Sequence, residues 1–212
     1  MSMSTLEIKI DSMTRELESY GHKAIALHAT CCAERLIDIY DEYARKEKAG
    51  SPEKVRAALD SAWGYLVSDL SNPAELSQWI AILEFATPHA DDCRSVECLL
   101  SQYVCICVDT AIRYCIGDES VGPVSIEYTF EALRALQCYL QTGHIDLGSG
   151  PEADRFEEDL VNSPIVQKEL ELQLNDLSDI KHSNCVDGQL AEELRKRARA
   201  NAIIVAQYFG NP

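Results

Sequence analysis

Residues 22–49 contain neither glycine nor proline, and within them lies the stretch CCAERLIDIYDEY, which opens on two adjacent cysteines. This uninterrupted segment constrains the fold more than any other feature. It is far longer than an ordinary strand and must bury one face along its whole length. Ile25, Ala29, Cys32, Ala33, Leu36, Ile39, Tyr40 and Tyr43 recur at helical spacing, while Arg35, Asp38, Glu42 and Arg45 fall largely off that stripe. The two thiols then read as small apolar fillers of one helix face and not as a reaction centre.

Glycines and prolines cut the remainder into further helix-sized blocks. Leu6, Ile10, Met13 and Leu17 stripe residues 5–19, and Gly21 closes that block. Ala-Gly-Ser-Pro at 49–52 is a stop followed by a restart, with Ser51 suited to cap a helix and Pro52 to its first position. Val55, Leu59, Ala62, Trp63, Leu66 and Leu70 repeat the stripe over 52–70, and a short helix is expected over 75–85. Residues 94–116 are the most apolar block and are predicted to lie centrally. The segment 124–141 opens on VSIEYTF, which alternates like a strand, but Phe130, Leu133, Leu136 and Leu140 restore helical spacing. TGHIDLGSGPEA at 142–153 is the strongest loop signal, an acidic stretch follows at 152–159, and helices are expected over 164–180 and 187–209. No hairpin and no strand–helix alternation is present, so the fold class is all-α: a single multi-helix bundle of about seven to nine helices. Residues 1–142 form the helical core domain, and 143–212 supply C-terminal helices that pack on it as part of the same domain.

The chain carries 35 acidic and 19 basic residues, a formal net charge of −16. That balance opposes direct binding of nucleic acid, which requires cations to displace counterions, and opposes docking on an anionic membrane. It favours rapid association with a basic protein. The start, MSMSTLEIKIDSMTREL, lacks the basic and apolar regions of a secretory signal, and no stretch reaches the length of a spanning helix, so a cytoplasmic location is expected. The nine cysteines form no CxxC pair and no zinc-type ladder with histidine, which predicts structural, reduced thiols.

The segments ALHATCCAERLIDIYDEY and VRAALDSAWGYLVSD carry a resemblance. A long helix with Cys32, Glu34, Arg35, Leu36 and Tyr40 precedes a short polar loop and a second helix with Leu59, Asp60, Ala62 and Trp63. In this the chain resembles the YjaG-like bacterial helical domains, a family of unknown function, over roughly residues 20–142. The resemblance implies an all-α bundle without established chemistry. It also implies kinship with domains found beside toxin genes, whose products neutralise a toxin.

Glu34, Arg35, Asp60 and Trp63 are the most interesting polar set. The two helices that carry them should pack antiparallel, so a carboxylate and a guanidinium could pair across the seam, either as a catalytic group or as a structural tie; the structural tie is favoured. His89, Asp91 and Asp92 could in principle hold a divalent ion, but their spacing matches no metal geometry and acidic residues at a helix start account for the pair. No metal and no cofactor is expected. GxSxG, HExxH and P-loop motifs are absent, and no thiol is singled out for a Cys–His nucleophile. The acidic clusters are more telling. Glu119, Glu127 and Glu131 flank one helix start, Glu152, Asp154, Glu157, Glu158 and Asp159 form a second group, and Glu169, Glu171, Asp176 and Asp179 a third; the first two groups are the candidate partner-binding residues. The function expected is that of a non-enzymatic immunity protein that binds and neutralises a cognate toxin, a basic effector such as a nuclease, by covering its active site or substrate access. The alternative is a stand-alone helical adaptor or regulatory protein, monomeric or homodimeric.

Overall fold

The computed structural model describes the whole chain except residues 1–3, 69–71, 90–92, 94, 146–147, 184, 204–205 and 210–212, with the backbone alone at 206 and 209. Among the described residues, nine helices of ten residues or more, and one of four, follow in the order α1 (Thr5–Glu18), α2 (His22–Glu47), α3 (Pro52–Ser68), α4 (Pro73–Ala86), α5 (Val96–Cys115), α6 (Ser125–Thr142), α7 (Pro151–Leu160), α8 (Pro164–His182), α9 (Gly188–Ala200) and α10 (Ala206–Phe209). No strand occurs among the described residues. The architecture is an all-α bundle.

α2 is its axis. Every residue from Ala24 to Ile37 is buried, and α1, α3, α5, α6, α8 and α9 all pack on it. Four of those fourteen positions are alanine, at 24, 26, 29 and 33, and with Cys31 and Cys32 they are small enough for close helix approach. α5 makes the most extensive interface with α2, yet Gln102, Tyr103, Ile106, Asp109 and Arg113 keep part of its outer face open. α2, the helix richer in charge, thus shares the centre of the bundle with α5, the most apolar block, which packs on α2, α3, α4 and α6. Burial of His28, Thr30, Glu34 and Arg35 hides this in the sequence, because each is a polar residue inside the protein.

Helix ends follow local chemistry. Ser4 and Glu7 form a capping box on α1, with the Ser4 amide donating to Glu7 Oε2 at 2.6 Å and the Glu7 amide to Ser4 Oγ at 3.2 Å. α2 ends at Lys48, which is left-handed, followed by Gly50 with φ 80°. The Tyr40 hydroxyl fixes this turn by donating to the Ala86 carbonyl at 2.6 Å and accepting from the Ser51 amide at 3.2 Å. A Cβ at Gly50 would lie 2.7 Å from Tyr40 Oη, so the position requires glycine on both conformational and steric grounds.

Three expectations are corrected. The acidic stretch after the loop is itself a helix, α7, pinned to α6 by the buried Phe156 and Leu160. The closing helix stops at Ala200 instead of continuing to 209: Asn201 caps it, and the Ile203 amide donates to the Arg35 carbonyl at 2.7 Å, drawing the chain across α2. The thiols are not all free. Cys93 and Cys98 are joined at the start of α5, while Cys31, Cys32, Cys105, Cys107, Cys115 and Cys138 are buried thiols and Cys185 is exposed. Leu70, at the end of the α3 stripe, lies outside the described residues.

Trp63 is fully buried where α3 meets α2. Trp63→Ala should lower stability by ~3–5 kcal/mol through lost packing and an abandoned cavity. Urea unfolding of the variant measures this, and near-normal stability would remove Trp63 from the core.

Candidate functional site

Two neighbouring residues of α2, Glu34 and Arg35, face opposite ways and each organises a separate polar cluster. Glu34 is buried and accepts three hydrogen bonds: from Trp63 Nε1 at 2.6 Å, Arg56 Nη1 at 2.8 Å and Arg199 Nε at 3.0 Å. Arg56 and Trp63 stand two turns apart on α3, which puts both on the face turned to α2. Arg56 also reaches Asp38 at 3.4 Å. Asp60 is half exposed and pairs with α9, accepting from Arg195 and lying 3.5 Å from Arg199 Nη2. The Arg195 guanidinium sits 5.5 Å from the Trp63 ring centroid, within range of a cation–π contact.

Arg35 is completely buried and turns to α8. Its Nε lies 3.0 and 3.1 Å from the two Glu169 oxygens, its Nη2 2.7 Å from Glu169 Oε1, and its Nη1 2.7 Å from Asp176 Oδ2. Gln173 Nε2 donates to Glu169 Oε1 at 3.0 Å. Arg197 completes the cluster, donating from Nη2 to Asp176 Oδ1 at 2.6 Å and from Nη1 to Asp179 at 2.7 Å. Glu169, Gln173 and Asp176 follow at i, i+4 and i+7, one face of α8. Burial alone would make the guanidinium easier to deprotonate, but Glu169 and Asp176 outweigh it and hold the Arg35 pKa well above its ordinary value.

The structure therefore joins Glu34 to Trp63 and Asp60 to α9, but does not bring Arg35 to Asp60. Arg35 points away from α3 because its carboxylate partners come from α8, more than a hundred residues on. Sequence spacing within α2 and α3 carries no trace of that partner. The basic run of α9 likewise is not a free positive patch: Arg195 and Arg199 tie to α3 and α2, and Arg197 to α8.

One Cys–His contact exists beside this cluster. Cys32 Sγ lies 3.7 Å from His28 Nδ1, with both side chains fully buried. Burial lowers the His28 pKa to about 4, with Asp176 opposing and Arg35 reinforcing the effect. Burial pushes the Cys32 thiol up to about 12 against the pull of Arg35. Both groups are neutral near pH 7, so the thiol is not an activated nucleophile. His89 is exposed, while Asp91 and Asp92 lie outside the described residues; no group of three potential metal ligands occurs among the described ones. His22 meets Glu119.

The acidic residues separate into two places. Glu119 lies at the start of α2, against His22. Glu131 and Glu157 converge on Arg134, at 3.3 and 3.0 Å, which links α6 to α7. Burial raises the pKa of both carboxyls; Arg134 opposes this, and Glu7 adds repulsion to each, as Glu127 does to Glu131. Glu7 of α1 thus joins Glu127, Glu131 and Glu157 in one anionic cluster, a member that its place in a capping motif conceals. Glu127, Glu152, Asp154, Glu158 and Asp159 are exposed.

A family model for a protein of unknown function, DUF416, matches residues 10–203. The chain belongs to the DUF416 family. That match spans α1 to α9 and so includes both polar clusters. The crystal structure of a DUF416 family protein from Shewanella baltica OS155 has the same fold, with a TM-score of 0.68 over 87% of this chain and 92% of that one at 18% sequence identity. No curated protein matches the chain. The family is thus an uncharacterised one, and membership carries the fold without assigning the toxin-neutralising role that the sequence resemblance implies.

Arg35→Ala should cost ~3–5 kcal/mol, because Glu169 and Asp176 would remain buried without their cation. Asp60→Ala, at a half-exposed pair, should cost no more than ~1 kcal/mol. Chemical denaturation of the two variants checks this order, and equal losses would contradict the assignment. His28 supplies a pH test. An unfolded imidazole takes up its proton near 6.5, whereas the buried one does so only at about 4. The His28 contribution is therefore intact above pH ~6.5 and declines as the pH falls toward ~4, by about 3 kcal/mol in the limit. Stability measured against pH should lose that part of its slope in His28→Gln.

Proposed function

We propose that the chain works by binding and not by turnover, as an immunity protein whose anionic exterior covers the basic working surface of a bacterial toxin. The observation that carries this reading is α7. Glu152, Asp154, Glu158 and Asp159 stand exposed on a short helix that Phe156 and Leu160 anchor to the bundle. Next to it lies the Glu7, Glu127, Glu131 and Glu157 cluster, for which Arg134 is the cation in contact. Bringing a cation to these crowded carboxylates relieves their repulsion, and the overall charge of −16 accelerates the encounter. The buried Glu34 and Arg35 clusters act as ties between helices, and the closed Cys32–His28 pair takes no part in chemistry.

Capture of host proteins on the immobilised chain at low salt, followed by elution with salt, supplies the test. A captured basic protein should arrest growth when expressed alone, and co-expression of the wild-type chain should restore growth. Reversing Glu152, Asp154, Glu158 and Asp159 to lysine should weaken the complex by roughly tenfold or more and flatten its salt dependence. Equal protection by the fourfold variant would remove the electrostatic account, and capture of no growth-arresting protein would remove the immunity reading.

A further inference from the structure

α4 has the opposite character to the acidic helices. It carries Glu75 and Glu84 but no basic residue, and apolar side chains occur on every side of it. Leu76, Leu83 and Ala86 face the core, where α4 packs on α3 and α5. Ala74, Gln78, Ala81 and Phe85, at i, i+4, i+7 and i+11, form an outward strip, with Ile82 half-buried at its edge. Phe85 is 92% exposed, the most exposed large apolar side chain among the described residues. An aromatic ring left so fully in water forgoes the burial that ordinarily stabilises it and is a ready anchor for a partner.

Two hollows share Thr87, Pro88 and His89, and the Phe85 ring lines one of them. One, of about 340 Å³, is lined by Phe85, Tyr43, Glu47 and Gly50. The other, of about 380 Å³, has Ile80, Leu83 and Ile106 as its apolar wall, with Glu84 and Asp109 among its polar groups. Arg113 is the arginine of the second hollow, and it is shared between Asp109 and Asp118 at 2.7 Å each. Burial pushes the Asp109 carboxyl up, against the hydrogen bond from Arg113. Among the described residues Glu47, Glu75 and Glu84 form no ion pair. The surface thus combines an exposed aromatic ring, two hollows and the carboxylates of Glu47, Glu75 and Glu84.

We infer that the outer face of α4, centred on Phe85 and the two hollows, docks an amphipathic cationic helix of a partner protein, apolar on one side and rich in lysine or arginine at its margins. Apolar side chains of the partner fill the two hollows, and its cations meet Glu47 and Glu84. A second copy of this chain fits poorly, because pairing two α4 faces sets Glu75 and Glu84 against their equivalents. The inference rests on the binding reading above and gives the partner a shape as well as a charge: α7 and its neighbours steer, and α4 anchors.

The probe is a fluorescein-labelled synthetic helix of leucine and lysine with its leucines on one face; its control replaces the leucines with glutamine at the same charge. Fluorescence anisotropy should show saturable binding of the amphipathic probe to the full chain and much weaker binding of the control. Phe85→Ala leaves the net charge unchanged, so attraction to the acidic exterior is the same in both proteins; it should weaken the probe about tenfold or more. The fourfold lysine variant of α7 should retain most of the affinity. Equal affinity in wild type and Phe85→Ala, or no saturable binding, overturns the docking site. A wild-type dimer in sedimentation that Phe85→Ala dissolves would assign the face to a second copy and also overturn it. The toxin-rescue assay is read separately: a silent Phe85→Ala with intact rescue removes this site alone, whereas specific probe binding with no toxin captured removes the immunity reading alone.

Discussion

The fork between Arg35 and the carboxylates of Glu169 and Asp176 governs how the last third of the chain must lie. A guanidinium with no exposure to water is costly to leave unpaired, because a lone buried charge takes up a large part of an ordinary domain's stability. α8 must therefore present both carboxylates to α2 at one register. Sliding α8 by one turn would separate Glu169 from the guanidinium while leaving its apolar contacts replaceable by others. Such a cluster contributes little net free energy compared with an apolar one of equal volume, and its value here is that it admits one arrangement.

α9 extends the same logic. Alternate arginines on this helix look in two directions: Arg195 and Arg199 toward Asp60 and Glu34, Arg197 toward Asp176 and Asp179. One helix thereby bridges α2, α3 and α8, and the densest basic run in the sequence is drawn into the joints of the bundle. The consequence for the exterior is direct. Cations used as internal ties compensate less of the charge presented outside, so the surface of α7 is more anionic than a count of nearby basic residues along the chain suggests.

Much of the fold was legible because it rests on local signals. The glycine and proline breaks and the helical spacing of residues such as Leu59, Trp63 and Leu66 mark α1 to α6 closely. α7 was not recognised as a helix, since only Phe156 and Leu160 carry its apolar face and its acidic residues resemble a solvated loop. Hydropathy marks α5 as central, and it packs on α2, α3, α4 and α6; the equal centrality of α2 is less visible, because its buried polar residues find their partners on α3, α8 and α9. The site was less legible than the fold. Glu34 with Trp63 lies within one helical hairpin and could be anticipated, whereas the partner of Arg35 depends on a tertiary contact, and sequence proximity had suggested Asp60 instead. Glu7 and Phe85 carried no signal at all, because one sits in a capping box and the other in a helix whose apolar residues point both inward and outward.

The division between interior and exterior bears on what kind of function this architecture can support. Inside, charge meets opposite charge at hydrogen-bond distance, and the buried imidazole and thiol are held neutral by desolvation. Such groups are set for rigidity, since any proton transfer among them would leave an uncompensated charge in a dry environment. Outside, the carboxylates of α6 and α7 repel one another and Phe85 stands in water. Both are states of higher free energy that a suitable partner would relieve, the first by cations and the second by apolar contact. Long-range charge accelerates encounter but discriminates poorly between basic proteins, whereas an exposed aromatic ring at the rim of a hollow discriminates by shape. A rigid bundle that holds the two features at fixed positions can therefore select a partner that is basic in one region and amphipathic in another, without any group on its surface having to react.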